Sequence, residues 1–330
     1  MTHIFCRCCR DSYTRRDILR ASGSGALLAA AGGSFWGTPL VASEGNSPAL
    51  VAAARSRLQP VSMSAVRLLP GSVFHDRLEL HRRGYLSHFD PDRLLFHYRA
   101  LAGLPQAAGT SAGYNGWESG FLRGHMVGHY LSAASRMAIA TDDSSFRKRV
   151  EYTVRELSEC QEALDAEGYL AAFPPTVFDW VEGKSADNGG IVVPYYTVHK
   201  LMAGLLDAHV LLAAPHALPV VTKMADYFAK RCAALNAQQL EKLFRTDGAR
   251  NPQNEFGAMS DVLAQLFEAT GERRHLQAAQ LFNRAWFTEP LARGEDRLAG
   301  LHANTHIAQA IGVARCANLT GDSQQGTAAE

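Results

Sequence analysis

"GWESGFLRGHMVGHYLSAASRMA", Gly116 to Ala138, sets a carboxylate at Glu118, glycines at 124 and 128, and histidines at 125 and 129 ahead of a long apolar run. From about Leu122 the spacing predicts a helix. Residues 125, 129 and 132 share one of its faces, while Met126, Val127, Tyr130, Leu131, Ala134 and Met137 cover most of the rest. The histidines and Ser132 therefore form a narrow polar strip on an otherwise apolar helix. Gly128 costs about 1 kcal/mol relative to alanine in a helix interior, a sacrifice explained where another backbone or a ligand comes close. A strip facing a cavity accounts for both features. A solvent-facing strip, or core histidines bonded to carbonyls, accounts for the histidines alone. Zinc is a further reading, because histidines four apart can share one ion, yet Met126 stands where the protease motif has glutamate.

Outward from this stretch the chain reads as helix after helix. "DPDRLLFHYRALAGLP" offers Asp90 as a cap and Pro91 at the first helical position, and stops before Gly103 and Pro105. "SFRKRVEYTVRELSECQEALDAEG" is expected to run to Gly168, with further helices at Tyr195 to Leu212, Leu218 to Ala234, Glu255 to Ala269, Arg274 to Trp286 and Ala303 to Leu319. The nearest thing to a strand is "GIVVPYY". A weak repeat joins the helices: "AIATDDSSF", "FEATGERRH" and "CANLTGDSQQ" each pair a helix end with Thr-Gly-Asp/Glu or a variant of it, then a new start. Paired helices at this spacing imply an all-α fold, either an α/α toroid or an α-solenoid.

The 330 residues carry 33 Lys+Arg against 32 Asp+Glu, so no basic stripe is on offer for nucleic acid or an anionic membrane surface. Neutral small molecules are the expected partners. At the amino end, "TRRDILR" and the apolar "ASGSGALLAAAGGSFWG" resemble a twin-arginine export signal, with "PLVAS" offering small residues for cleavage. The apolar stretch is too short and too rich in Gly, Ala and Ser to span a bilayer, which needs about 20 apolar residues. The expected organisation is a signal at 1–43, recognised by the twin-arginine translocase, a linker at 44–65 and a domain at 66–330. The mature chain would be periplasmic or secreted, with no membrane anchor. Cys6, Cys8 and Cys9 would leave with the signal; Cys160, Cys232 and Cys316 lie far apart in helical segments and read as small buried hydrophobes.

Three more stretches hold polar groups near helix starts: His199 with Tyr195 and Tyr196, Glu255 and Asp261 around Gly257, and His302, Asn304 and His306. Each taken singly is an ordinary cap or surface residue. Gathered at one end of a toroid they would form a pocket for a neutral polyhydroxylated ligand, since no glycine-rich phosphate loop is evident.

In order and spacing, "YLSHFDPDRLLFHYRALAGLP", "GWESGFLRGHMVGHYLSAASRMA", "PYYTVHKLMAGLLDAH", "NEFGAMSDVL" and "LHANTHIAQAIG" resemble the β-L-arabinofuranosidase-like glycoside hydrolases of families 127 and 146. The resemblance covers about Val66 to Asp322. It implies an (α/α)6 barrel, retaining hydrolysis of terminal L-arabinofuranosyl residues of plant-type glycans, and a sugar pocket using His199 and His302, with Trp117, Glu118, His125 and His129 nearby and Glu255 and Asn304 in the flanking motifs. Two departures stand out. Glu79 and Arg82 replace the Gln and Asn usual in the first helix, and Ala258, Met259, Ser260 and Asp261 replace Gly-Met-Asn-Glu.

The resemblance also implies a zinc-bound cysteine nucleophile, further cysteine and glutamate ligands, and a glutamate acid/base, all C-terminal to the His-Ala-Asn-Thr helix. None of Cys160, Cys232 and Cys316 sits in a matching motif. The chain is therefore expected to be an incomplete toroid that binds no zinc, with an apolar edge that lowers its solubility or calls for a partner. Two function classes stay open: the front part of an exported arabinofuranosidase, or a non-catalytic sugar-binding remnant or gene fragment. An α-solenoid scaffold without sugar affinity is a third.

Overall fold

The computed structural model describes residues 61–244 and 255–330, which lie in one compact unit, Pro48–Glu330. The proposed signal, its three cysteines and most of the linker fall outside the described residues. Within them are thirteen α-helices and no strand, and no helix long and apolar enough to cross a membrane. "GIVVPYY" is a loop that enters a helix at Pro194.

The helices, in chain order, are α1 Val73–Gly84, α2 Pro91–Leu101, α3 His125–Thr141, α4 Ser144–Leu164, α5 Val177–Val181, α6 Pro194–Leu212, α7 Ala217–Ala233, α8 Ala237–Phe244, α9 Met259–Thr270, α10 Arg273–Leu281, α11 Ala285–Ala292, α12 Ala303–Thr320 and α13 Ser323–Ala329. Four hairpins dominate: α3 with α4, α6 with α7, α9 with α10, and α12 with α13. The first member of each pair packs on the first member of the next, forming one layer, and α4, α7 and α10 pack side by side behind it.

The repeated turn is built as its sequence implies. Thr141, Thr270 and Thr320 each donate a side-chain hydrogen bond to the carbonyl four residues back, at 2.7, 2.8 and 2.8 Å. Asp142, Gly271 and Gly321 then take left-handed φ values of 55°, 73° and 74°. Asp143 and Asp322 accept from the first amides of the following helix. The α6–α7 turn uses a different solution, with Ala213 and His216 in the left-handed region.

Glycine sets the spacing of the front layer. A Cβ on Gly128 of α3 would stand 1.9 Å from the Lys200 carbonyl oxygen of α6, and a Cβ on Gly204 would stand 2.4 Å from the Gly128 carbonyl oxygen. Here the two backbones touch. Further along, the Arg136 guanidinium of α3 pairs with Asp207 of α6, so the contacts advance in the same direction on both helices and the two run parallel. On α12, a Cβ at Gly312 would strike Ser260 of α9, and Arg315 pairs with Asp261 and Glu268 at 2.6 and 2.8 Å, a second parallel crossing. Gly128 thus serves a helix crossing, and the cavity-facing explanation does not apply to it.

Two expected boundaries move. The helix expected from Arg274 to Trp286 breaks at 282–284, where Arg284 turns inward and is 2% exposed. The helix expected to reach Gly168 stops at Leu164, with Asp165 in the left-handed region at φ 44°. α1 buries none of its residues and leaves Val73, Phe74 and Leu80 in solvent. Its Glu79 and Arg82, the departures noted above, pair with each other at 2.8 Å, and Arg82 reaches Asp143 at 2.8 Å, which fastens α1 to the start of α4.

Candidate functional site

Glu118 is a buried carboxylate spent on structure. Its two oxygens accept the backbone N–H groups of Gly124 and Met126 at 3.0 and 3.1 Å, satisfying orphan donors where α3 begins. Gly124 stands just before the helix at φ +87°, a conformation that suits glycine, and a Cβ there would meet the Tyr98 hydroxyl at 2.8 Å. His125 is tied to the same cap: its Nδ1 lies 2.7 Å from the Leu122 carbonyl and 3.0 Å from the Glu118 carboxylate. The carbonyl-bonded core histidine is the reading that holds for His125. His129 lies one turn on, its ring edge-on to that of His125 at 5.6 Å, and it is open to solvent. Crowding by protein, with the charges of Lys200 and His125 adding to it, pushes the His129 imidazole down to about 4.

His199 sits in the second turn of α6 and is 6% exposed. Burial, reinforced by Lys200 and His129, pushes it down to about 3, so it is neutral across the physiological range. Its Nδ1 has no hydrogen-bond partner among the described residues and faces Gly257, where an added Cβ would come within 2.5 Å of it. Gly257 has φ +56°, so both conformation and space demand glycine. Lys200 holds its ammonium 4.6 Å from the centre of the Tyr196 ring. Burial lowers its pKa, and the charge of Glu255 opposes that shift.

Glu255, just before α9, accepts a hydrogen bond from the Thr305 hydroxyl with one oxygen, and its other oxygen is buried with no partner among the described residues. Behind it lies Arg284, whose Nε donates to Gln309 at 3.0 Å while Nη2 lies 3.3 Å from His306 Nε2. Burial pushes this guanidinium down to about 9. His306 is the buried histidine of this helix start. Its Nδ1 is 2.9 Å from the His302 carbonyl, and its ring packs between Trp286 and Phe287. His302 itself is half-buried in the capping position without a side-chain cap bond, and Asn304 is exposed.

A continuous line of groups therefore crosses the front layer near its helix starts: His125 and His129 on α3, His199 and Lys200 on α6, Glu255 and Gly257 before α9, and Thr305 and His306 on α12. Trp117 stands outside it, 64% exposed. Sequence reasoning passed over Lys200, Arg284 and Thr305. Lys200 adjoins His199, which was the available signal; for Arg284 there was none.

The three described cysteines are free and buried on α4, α7 and α12, and burial pushes their thiols up to about 11 for Cys160, 12 for Cys232 and 11 for Cys316. Among the described residues no group of three or more His, Cys, Asp or Glu side chains could hold a metal ion. These residues do not fit the zinc centre that the resemblance implies.

Residues 65–330 match the family described as β-L-arabinofuranosidase, glycoside hydrolase family 127 catalytic domain. The curated proteins include no match. Among solved structures, a family 127 β-L-arabinofuranosidase from Geobacillus stearothermophilus is similar, with a TM-score of 0.53 and 16% identity over 79% of this chain and 44% of that one. Another family 127 β-arabinofuranosidase gives a TM-score of 0.53 and 16% identity over 82% of this chain and 42% of that one. The chain thus spans less than half the length of either, and the likeness speaks to the fold alone. With the family match running through four fifths of its residues, the chain belongs to the glycoside hydrolase family 127 β-L-arabinofuranosidase catalytic-domain family.

Proposed function

We propose that this chain forms an arc of an (α/α)6 toroid and that the helix starts of its front layer bind a terminal L-arabinofuranosyl residue of a plant-type glycan. The observation that carries this reading is the Oε1 of Glu255, which has no partner among the described residues and is buried in the same line as two histidines held neutral. A sugar hydroxyl is both donor and acceptor, so it can give its proton to Glu255 and receive one from the Lys200 ammonium or a neutral imidazole. His129, His199, Glu255, His302 and Asn304 are the contacts assigned to the sugar; Glu118 and His125 position α3, and Trp117 stands at the rim.

The protein acts in the periplasm or outside the cell after twin-arginine export, as part of a glycosidase. No described residue is given the nucleophile or acid/base role. Zinc would serve to activate a thiolate, and Cys160, Cys232 and Cys316, each buried, are not placed to serve as one. The test is calorimetric titration of the chain with methyl β-L-arabinofuranoside, beside an assay on an aryl β-L-arabinofuranoside with zinc and reductant. Saturable heat that is lost in His199→Ala is expected. A chain with a helical circular-dichroism spectrum and no heat defeats the proposal and leaves the scaffold reading.

A further inference from the structure

On the back layer, the end of α4 and the middle of α7 line an open cavity of about 450 Å³. Glu162 of α4, Asp165 and Glu167 beyond its end, and Asp226 of α7 face this space, against one cation, Lys223. Glu167 and Asp226 are already engaged, by Lys230 and by Arg274, each at 2.6 Å. Glu162 and Asp165 form no ion pair among the described residues; Glu162 meets only the Ser158 hydroxyl, at 3.4 Å. The last turn of α4 adds the partial negative charge of a helix end. The walls are fixed where they meet: a Cβ on Gly168 would stand 2.6 Å from the Lys223 carbonyl oxygen, so loop and helix backbones touch.

Gln161 supplies an independent sign of a ligand. It lines the cavity although it is only 4% exposed. Its Nε2 donates to the Gly168 and Val220 carbonyls at 2.8 and 3.1 Å, and its Oε1 has no hydrogen-bond partner among the described residues. A buried acceptor left unpaired costs about 1–3 kcal/mol, which a donor arriving in the cavity would recover. The fitting group is therefore a donor and, beside these carboxylates, a positively charged one. Its shape follows as well. No three His, Cys, Asp or Glu side chains among the described residues converge as a metal ion requires. The carboxylates are instead spread over a space many times the roughly 30 Å³ of one water molecule, which suits charge distributed along a chain.

We propose that this cavity binds a linear aliphatic polyamine, with one ammonium group on Gln161 Oε1, Glu162 and Asp165 and a second toward Asp226. None of these residues belongs to the line of helix starts, so the inference stands apart from the sugar reading. The test is calorimetric titration of the full chain with spermidine at physiological ionic strength, which screens diffuse attraction. One molecule binds saturably, and the affinity falls about tenfold in Glu162→Gln and in Asp165→Asn, each of which removes a charge-assisted bond. Asparagine accepts the left-handed φ of 44° at position 165, and Glu162 is exposed, so both variants keep the fold, which circular dichroism checks. Glu159→Gln, at an exposed carboxylate of α4 outside the cavity, leaves the affinity unchanged. Absence of saturable heat, an affinity retained in either cavity variant, or an equal loss in Glu159→Gln, the mark of a diffuse field, overturns the inference. Magnesium chloride binding as tightly as spermidine overturns it too, because a point charge would then serve as well as a chain.

Discussion

Replacing Gly128 with alanine tests whether the front layer is set by glycine crossings. In an ordinary helix the change stabilises by about 1 kcal/mol. Here the new Cβ would stand 1.9 Å from the Lys200 carbonyl oxygen and 2.1 Å from its carbon, against 3.4 Å for the start of ordinary contact. α3 and α6 would have to part by about 1.5 Å, the difference between those distances, and such a gap forfeits a quarter to a half or more of the dispersion contact across it. Val127 and Leu131 on one helix and Leu201 and Leu205 on the other are fully buried at this interface. Each is worth about 1.5–3 kcal/mol when buried, so the loosened contacts lose about 2–5 kcal/mol, and alanine's propensity returns about 1. The net expectation is about 1–4 kcal/mol of destabilisation, a fall in Tm of roughly 2–15 °C. Gly326→Ala is the control, because that glycine lies in α13 with nothing within 4 Å of an added Cβ. Thermal unfolding followed by circular dichroism should move the two variants in opposite directions. If Gly128→Ala melts at or above the unaltered chain, as Gly326→Ala should, the crossing does not set the spacing.

Gly257→Ala should leave the chain folded but lower its affinity for methyl β-L-arabinofuranoside at least about tenfold, since the new methyl occupies the space of the His199 ring at a φ of +56°; an unchanged dissociation constant rejects that packing. Glu118→Gln should destabilise by about 1–2 kcal/mol through loss of a charged cap on two amides, measured by urea unfolding. Cys160, Cys232 and Cys316 should resist alkylation at pH 8 until denaturant is added, followed peptide by peptide; rapid modification of any of the three in the native chain contradicts its burial. For His199, a folded pKa of about 3 lies below the unfolded value near 6.5. The unfolded chain therefore binds the extra proton, and the stabilising contribution is complete above about pH 6.5 and is lost as pH falls toward 3, by up to about 1.4 kcal/mol per pH unit. His199→Gln should flatten the urea-derived stability profile over that window, and a slope identical to that of the unaltered chain refutes the assignment.

The helix starts were legible where the signal is local. Asp90 followed by Pro91, and the Thr-Gly-Asp/Glu turns, act through bonds within a few residues, and each is found where the sequence puts it. What stayed hidden depends on partners distant in the chain. Gly128 asked for a close neighbour without saying which, and the answer is a glycine 76 positions on, Gly204. The break at Arg284 follows from a guanidinium buried against Gln309 and His306, which no local propensity records. For the candidate site, histidine spacing could not separate His125, fixed on a carbonyl, from His129, open to solvent. Nor could it foresee that Glu118 is a cap, because Glu118 lies six and eight residues from the amides it binds, outside the usual capping spacing.

The fold also fixes the electrostatics of the site. Parallel packing of α3 with α6 and of α9 with α12 brings the starts of paired helices to the same side, and each start carries about half a positive charge. Lys200 and Arg284 add two cations, and Glu255 is the carboxylate whose charge acts on both. A protonated imidazole at such a place adds positive charge where it is already in excess, which is the physical reason that Lys200 depresses both His129 and His199 beyond what burial does alone. Histidines kept neutral in this way each offer one donor and one acceptor, the pairing that a hydroxyl returns and a cationic ligand does not. The glycine crossing that brings Lys200 against α3 therefore bears on chemistry as well as packing: widening it moves the cation away from His129, so Gly128→Ala should raise the His129 pKa while it lowers stability. A histidine titration by NMR that shows the lowered stability with an unmoved His129 would separate the two effects and break this link between the crossing and the site.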